Sequence, residues 1–302
     1  MGIRTATRDL IAQLVVRAVP PGIFRDKRYF RLWQSRGYHV TRVHFYEPIP
    51  DTVSLKDDLW ARPSAMVGVD MRVEAQLELL AAFAERYKSE YEGVDPITRG
   101  TPDWEALYCV VRHFRPRRII EIGSGVSTRV AALAVEENRR HGVDARLTAI
   151  EPYPSDELRA GFPGLSDLKV TQVQDVPLSE FEALGENDIL FIDSSHVLKL
   201  GSDVQYEFLE ILPRLRPGVV AHVHDIFFPF EYRRDWPMEQ SIFWNEQYLL
   251  QAFLAFNSAF EVLLSNSYIH HAHPDALRRA FDRYDPKVHH PGSFWMRRKL
   301  GP

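Results

Sequence analysis

The sequence predicts an α/β protein, a doubly wound and mostly parallel sheet preceded by an N-terminal helical and aromatic cap. Three observations predict it. From residue 117 onward, short apolar runs alternate with segments long enough for crossovers, as parallel strands require. One run, Arg118-Ile119-Ile120-Glu121-Ile122, passes directly into Gly123-Ser124-Gly125 and a helical pattern, a strand, glycine turn and helix in succession. The chain has 302 residues, 45% hydrophobic and 26% charged, which is enough for a packed core and excludes wholesale disorder.

The elements follow in order. The first 40 residues carry eight Arg or Lys and two Asp, a net of +6. Leu10, Ile11, Leu14, Val15 and Ala18 recur there at helical spacing and form one side of a short basic helix, suited to a subunit or domain contact. Gln13 and Arg17 interrupt that stretch, which is too short to span a bilayer and a poor signal-peptide core. Residues 38–63, with His44, Tyr46 and Trp60, are too aromatic for a floppy linker and read as a folded loop or cap. Helices are expected over 73–91, through Leu77, Leu80 and Phe83, and over 102–113, where Asp103 and Glu105 favour the amino end. Strands are expected at 118–122, 145–150, 168–173, 188–192 and 218–223, with helices through residue 140 and over 155–160 and 202–215. A helix over 241–257, a strand at 260–265 and a final short strand at 293–298, antiparallel to its neighbours, complete the sheet. The division between the cap region and the sheet-bearing region is expected at residue 100, giving 1–100 and 101–302.

Composition narrows the function. With 37 Lys plus Arg against 41 Asp plus Glu, the net charge of −4 supplies no general field for nucleic acid, and none is expected as a partner. The single cysteine, Cys109, excludes a disulfide framework and a multi-cysteine zinc cluster. A cytoplasmic protein without a transmembrane segment is expected, as a possible homodimer.

The chemistry gathers at strand ends. Gly123 and Gly125 allow a tight turn whose backbone approaches a ligand closely. Thr128 stands where the dinucleotide fingerprint places its third glycine, and Glu121 puts a carboxylate where pyrophosphate would be repelled. The amine of an amino acid suits that charge better, so a nucleoside bearing an amino acid is favoured over a dinucleotide. Glu151 ends the second strand, where a carboxylate can accept two ribose hydroxyls; Asp175 follows the third and Asp193 the fourth. Singly, each also serves as a helix cap or a solvated loop residue.

These residues carry a resemblance. Segment 117–225 resembles the class I S-adenosylmethionine-dependent methyltransferases, particularly the bacterial small-molecule group that often acts in natural-product tailoring. The resemblance implies a Rossmann-like catalytic domain over 101–302 with S-adenosyl-L-methionine as cofactor. Glu121, Gly123, Ser124, Gly125 and Ser127 resemble the first cofactor loop, Glu151 the ribose acid and Asp175 the adenine-side loop. Phe191-Ile192-Asp193-Ser194-Ser195-His196 and the run from Pro217 to Asp225 resemble the later catalytic-side pattern, with Asp193 and Ser194 also toward the cofactor.

Asp193, His196, His224 and Asp225 are therefore the candidate catalytic residues. Methyl transfer to oxygen or nitrogen releases a proton, and an imidazole titrates in the useful range. His224 is favoured slightly over His196 as the base. Related O-methyltransferases hold magnesium near Asp193 and Asp225, yet His196, His222 and His224 make this neighbourhood nitrogen-rich, so a divalent metal and its identity stay open. The acceptor is expected to be a small molecule, with O-methylation slightly favoured. Tyr46, Trp60 and Gln76 are substrate-side candidates, as are Asn245, Glu246 and the aromatic run from Phe227 to Trp236. Intramolecular alkyl transfer, a nicotinamide oxidoreductase and a non-enzymatic nucleoside-binding protein are the competing readings.

Overall fold

The computed structural model describes residues 3–91, 94 and 101–300, the side chains of 3–6 and 25 excepted. The chain divides into two units, residues 1–57 and 58–302. The first consists of helices Ile3–Ala18, Pro21–Arg25 and Lys27–Gln34, followed by a largely irregular aromatic segment. Asp26 begins the third helix by accepting the backbone N–H of Arg28 at 2.9 Å. Leu10, Ile11, Leu14 and Val15 lie exposed along the first. Helix Val73–Arg86, in the second unit, packs on helix Pro274–Ala280 and on strand Phe260–Ser265. No helix among the described residues is long and apolar enough to cross a membrane.

The second unit is built on seven strands: β1 Arg118–Ile122, β2 Arg146–Ile150, β3 Leu165–Lys169, β4 Ile189–Ile192, β5 Val220–Val223, β6 Phe260–Ser265 and β7 Phe294–Arg298. Their order is β3-β2-β1-β4-β5-β7-β6; the first five are parallel, and β7 runs antiparallel to both β5 and β6. The order reverses direction between β1 and β4, the place where open sheets of this kind leave a crevice. Alternation assigns the faces. Ile120, Ile122, Leu190, Ile192 and Val223 pack on one side of the sheet, and Ile119, Leu147, Phe191 and Trp295 on the other. The β-sheet register places Glu121, Phe191, His222 and Trp295 in one row across that second face. Helices Pro102–Phe114 and Val126–Arg140 pack together and contribute to the core on this side.

Several boundaries differ from expectation, and the helix expected over 73–91 ends at Arg86 with a separate 3₁₀ turn at Lys88–Glu90. β3 lies three residues earlier, because Leu165 to Lys169 pair with β2, and Val173–Asp175 forms a single 3₁₀ turn instead. The helix expected over 202–215 is α-helical only over Asp203–Tyr206, then widens into a π-turn at Glu207–Ile211 and tightens ahead of Arg214, with Pro213 at its end. The helix expected over 241–257 is Glu246–Leu254, since Ser241 adopts a left-handed conformation with φ +58°.

Candidate active site

The glycine turn is dictated by close approach. After Ile122 the chain reverses at Gly123, where φ is +76° and an added Cβ would stand 1.8 Å from the carbonyl oxygen of Asp193. The sheet fixes that contact: the Asp193 N–H donates to the Ile122 carbonyl at 2.9 Å, and the Gly123 N–H to that of Ile150 at 3.0 Å. Gly125 is extended and precedes helix Val126–Arg140; its N–H donates to Oγ1 of Thr128 at 3.1 Å. Thr128 thus supplies a cap at the position where a dinucleotide turn has glycine.

A cavity of about 470 Å³ opens at the carboxyl ends of β1, β2 and β4. Gly123, Glu151, Asp193 and Ser194 line it, as do Gln174 and Lys199. The Glu151 carboxylate is oriented by two backbone donors, Ser124 at 3.1 Å and Tyr153 at 2.8 Å. Glu121, Ser127, Ser124 and Gly125 stand outside the lining, nearest to it through the turn they share with Gly123. Ser127 donates its hydroxyl to Oε1 of Glu121 at 2.6 Å, and Oε2 of Glu121 has no partner. Burial pushes the Glu121 carboxyl up to about 8, against the hydroxyls of Ser127 and Thr128. Asp175 is not brought to the cavity. It is exposed at the end of its 3₁₀ turn, and Gln172, Val173 and Gln174 form the wall instead, because the early end of β3 moves the loop.

Beside this cavity lies the histidine cluster. Two residues beyond Phe191 and His222 in their strands, the chain releases Asp193 and His224. His222 stays in the sheet: its ring stacks on Phe191 at 3.9 Å, and Nε2 lies 2.9 Å from Oγ of Ser293. Burial drives its pKa well below that of a free imidazole, so it is a neutral packing group. His224 stacks on Trp104, with centroids 5.8 Å apart and planes within 4°, and its Nε2 lies 3.8 Å from Oδ1 of Asp225. Burial pulls its pKa down, but the carboxylates of Asp193, Asp225 and Asp103 outweigh that and hold it above the usual value.

His196 has a different setting. It is a non-glycine residue at φ +59°. Its Nδ1 lies 2.9 Å from Oε2 of Glu246, and its Nε2 lies 3.3 Å from Oδ1 of Asp193 and 4.0 Å from Oδ2 of Asp225. Burial opposes the charge, yet hydrogen bonds to Asp193 and Glu246 win and raise the imidazole to about 10. His196 is therefore a standing cation among three carboxylates. Behind it, burial and neighbouring carboxylates raise both Glu246 and Glu207, and Glu207 accepts the Ser194 hydroxyl at 3.0 Å.

A divalent metal does not fit this arrangement. Nε2 of His196 is interposed between Asp193 and Asp225, and no three His, Cys, Asp or Glu side chains among the described residues converge as a metal site.

The candidates Asp193, His196, His224 and Asp225 thus come together, with Asp193 shared between cavity and cluster. Gln76 is instead fully buried, accepting the Ser265 N–H at 2.7 Å. Sequence reasoning missed Glu207, Trp104 and Trp244, whose ring centroid lies 4.1 Å from that of His196. Glu207 was findable: Val204, Phe208 and Ile211 mark a buried helix face, and Glu207 falls on it. Trp104 carried no local signal.

Residues 120–226 match the family described as a methyltransferase domain. An uncharacterized protein of Archaeoglobus fulgidus is 33% identical over 174 residues, 48% of this chain and 74% of the relative. Among solved structures, the O-methyltransferase TomG of Streptomyces achromogenes, involved in tomaymycin synthesis and solved with SAM, is 18% identical, covering 74% of this chain and 90% of that one at a TM-score of 0.42. An O-methyltransferase from Bacillus cereus solved with SAH is 18% identical, covering 76% and 91% at a TM-score of 0.38.

Proposed function

We propose that this chain, whose residues 120–226 match a methyltransferase-domain family, is a class I S-adenosylmethionine-dependent methyltransferase that methylates an oxygen of a small molecule, His224 taking the acceptor's proton. One observation carries this reading: Asp193 is at once a wall of the strand-end cavity and a counter-charge of the histidines. That supports reading a cofactor cavity and a proton acceptor side by side.

The cavity's chemistry fits the cofactor. Glu151, its two oxygens already oriented by backbone donors, suits a pair of ribose hydroxyls. Glu121, buried with an unpartnered Oε2, leaves an acceptor oxygen for the ammonium of an amino-acid end. Gly123 lets the turn close on Asp193 at the cavity wall, and Val173 and Gln174, in place of Asp175, suit the adenine side. When bound, S-adenosylmethionine supplies a methyl group activated by the sulfonium.

The chain's own residues hold the acceptor and move its proton. His224 receives the acceptor hydroxyl proton at Nε2, and Asp225, 3.8 Å away, stabilises the imidazolium that forms. His196 is unsuited to be the base, because its two carboxylate partners keep it protonated; it positions Asp193 instead. Trp104 keeps the His224 ring in plane.

The test is incubation of the full chain with S-adenosylmethionine and a panel of phenols and hydroxy acids, with products identified by mass and NMR. An O-methylated product whose formation collapses in His224→Gln is the expected result. A product methylated only on nitrogen or carbon overturns the oxygen assignment, and failure to retain the cofactor overturns the whole reading.

A further inference from the structure

A second cavity, of about 350 Å³, has no role in the chemistry derived above. Its volume suits a molecule of one or two rings. Aromatic faces line it at Trp60, Phe227 and Phe230, and imidazoles at His270, His271 and His290.

Its position ties it to the histidine cluster. Phe227 follows Asp225 by two residues, and both pack on Gly292, where an added Cβ would lie 2.9 Å from Cα of Asp225 and 3.2 Å from the Phe227 ring. From Phe227 an aromatic wall continues through Trp236 at 5.4 Å and Trp244 at 4.6 Å to His196 at 4.1 Å.

We propose that this cavity binds the acceptor as an aromatic acid, the ring against Trp60, Phe227 and Phe230 and the carboxylate on the histidines. The polar groups of the cavity lead there by elimination. Asp235 is held by Arg233 through two contacts of 3.1 Å, and Glu231 accepts the Tyr248 hydroxyl at 2.5 Å. Arg234 lies over the Trp60 ring at 5.5 Å, and Trp60 is itself fixed by donating Nε1 to the Tyr232 carbonyl at 2.9 Å. His270 is bonded to the Tyr284 hydroxyl at 2.7 Å. His271 and His290 have no hydrogen-bond partner among the described residues, so their ring nitrogens, with the Ser267 hydroxyl beside them, are donors left for a ligand.

The histidines also crowd one another. The ring centroid of His270 lies 4.6 Å from that of His271 and 6.1 Å from that of His290. Burial keeps the imidazoles below their ordinary pKa, aided at His270 and His271 by neighbouring imidazoles and at His290 by Arg233 against the pull of Asp235, so an uncharged guest leaves them neutral and a carboxylate favours their protonation. A dianionic phosphate would meet Asp235 and Glu231 with both arginines already engaged; one delocalised charge on a flat ring suits the site better.

Calling this ligand the acceptor rests on the methyl-transfer reading; its binding does not. The test is calorimetric titration of the full chain with 3,4-dihydroxybenzoate and with its methyl ester, which keeps the ring and loses the charge. The acid is expected to bind at least tenfold more tightly than the ester. The double variant His271→Gln/His290→Gln is expected to bring the acid to the ester's affinity while S-adenosylmethionine binding stays within twofold, which shows that the fold survives. Equal affinities for acid and ester, no binding of the acid, or a double variant that keeps full affinity for it overturns the proposal. Binding is read without turnover, so missing methyl transfer and missing acid binding are separate results, and only the second counts against the cavity.

Discussion

Gly123→Ala tests whether the glycine turn sets the cofactor cavity, and Gly142→Ala is its control. Both residues have left-handed backbones, with φ of +76° and +80°. They differ in surroundings: nothing lies within 4 Å of a Cβ at Gly142, whereas a Cβ at Gly123 would meet the Asp193 carbonyl oxygen at 1.8 Å. The backbone cost common to both is about 1–2 kcal/mol. At Gly123 the overlap adds an overpacking cost of about 1–3 kcal/mol. Asp193 cannot retreat freely, because its N–H is bonded to the Ile122 carbonyl. The total for Gly123→Ala is about 2–5 kcal/mol, and each kcal/mol shifts the melting temperature of a unit this size by about 2–4 °C. Differential scanning calorimetry should therefore show a loss of roughly 10 °C for Gly123→Ala and a few degrees for Gly142→Ala. Titration with S-adenosylmethionine should show a loss of at least about tenfold only in the first, since Asp193 lines the cavity and is displaced. Equal melting temperatures with equal cofactor affinities in the two variants would refute the reasoning.

Other consequences are open to measurement. His224→Gln should lower kcat by about 10²–10⁴-fold, the usual contribution of a positioned base, without weakening cofactor binding. In the unaltered protein, kcat/KM should fall as pH drops through a value above 6.5, the side to which the carboxylates move His224; a flat acid limb argues against this base. His196→Ala should destabilise by about 3–5 kcal/mol in chemical denaturation, because it leaves buried carboxylates without their cation. His196 titrates near 10 in the fold against 6.5 free, so its contribution is complete below pH 6.5 and is lost as pH rises through about 10. That alkaline loss of melting temperature should be absent from the variant. Glu151→Ala should weaken cofactor binding by about 10–100-fold, the worth of one charged hydrogen-bonding group, with little change in melting temperature; undiminished affinity would remove Glu151 from the ribose role.

Much of this was legible because it follows from periodicity. β1 and its glycine turn, the row of strand-end acids and the pairing of His222 with His224 on one face all come from alternation and position alone. What was not legible depends on contacts between distant segments. Asp175 reads as a strand-end acid, and it leaves the cavity because β3 starts at Leu165 and ends at Lys169. No local pattern distinguishes a base from a trapped cation. His196 and His224 look alike in sequence, and the hydrogen bonds that hold His196 charged come from Asp193 and from Glu246, fifty residues away. Trp104 reaches His224 by the packing of a helix that precedes the sheet, beyond any short-range signal.

Glu246 has two duties. It opens helix Glu246–Leu254 and is the nearest counter-ion of His196, while Asn245 beside it donates its N–H to the His196 carbonyl at 3.1 Å and accepts from the Leu198 N–H at 2.6 Å. The segment after the aromatic run is thereby fastened to the end of β4 through backbone and charge together. A displacement of this helix start would alter the field felt by the proton acceptor, so substitutions on its outer turns belong among the places where acidity profile and folding cooperativity change in step.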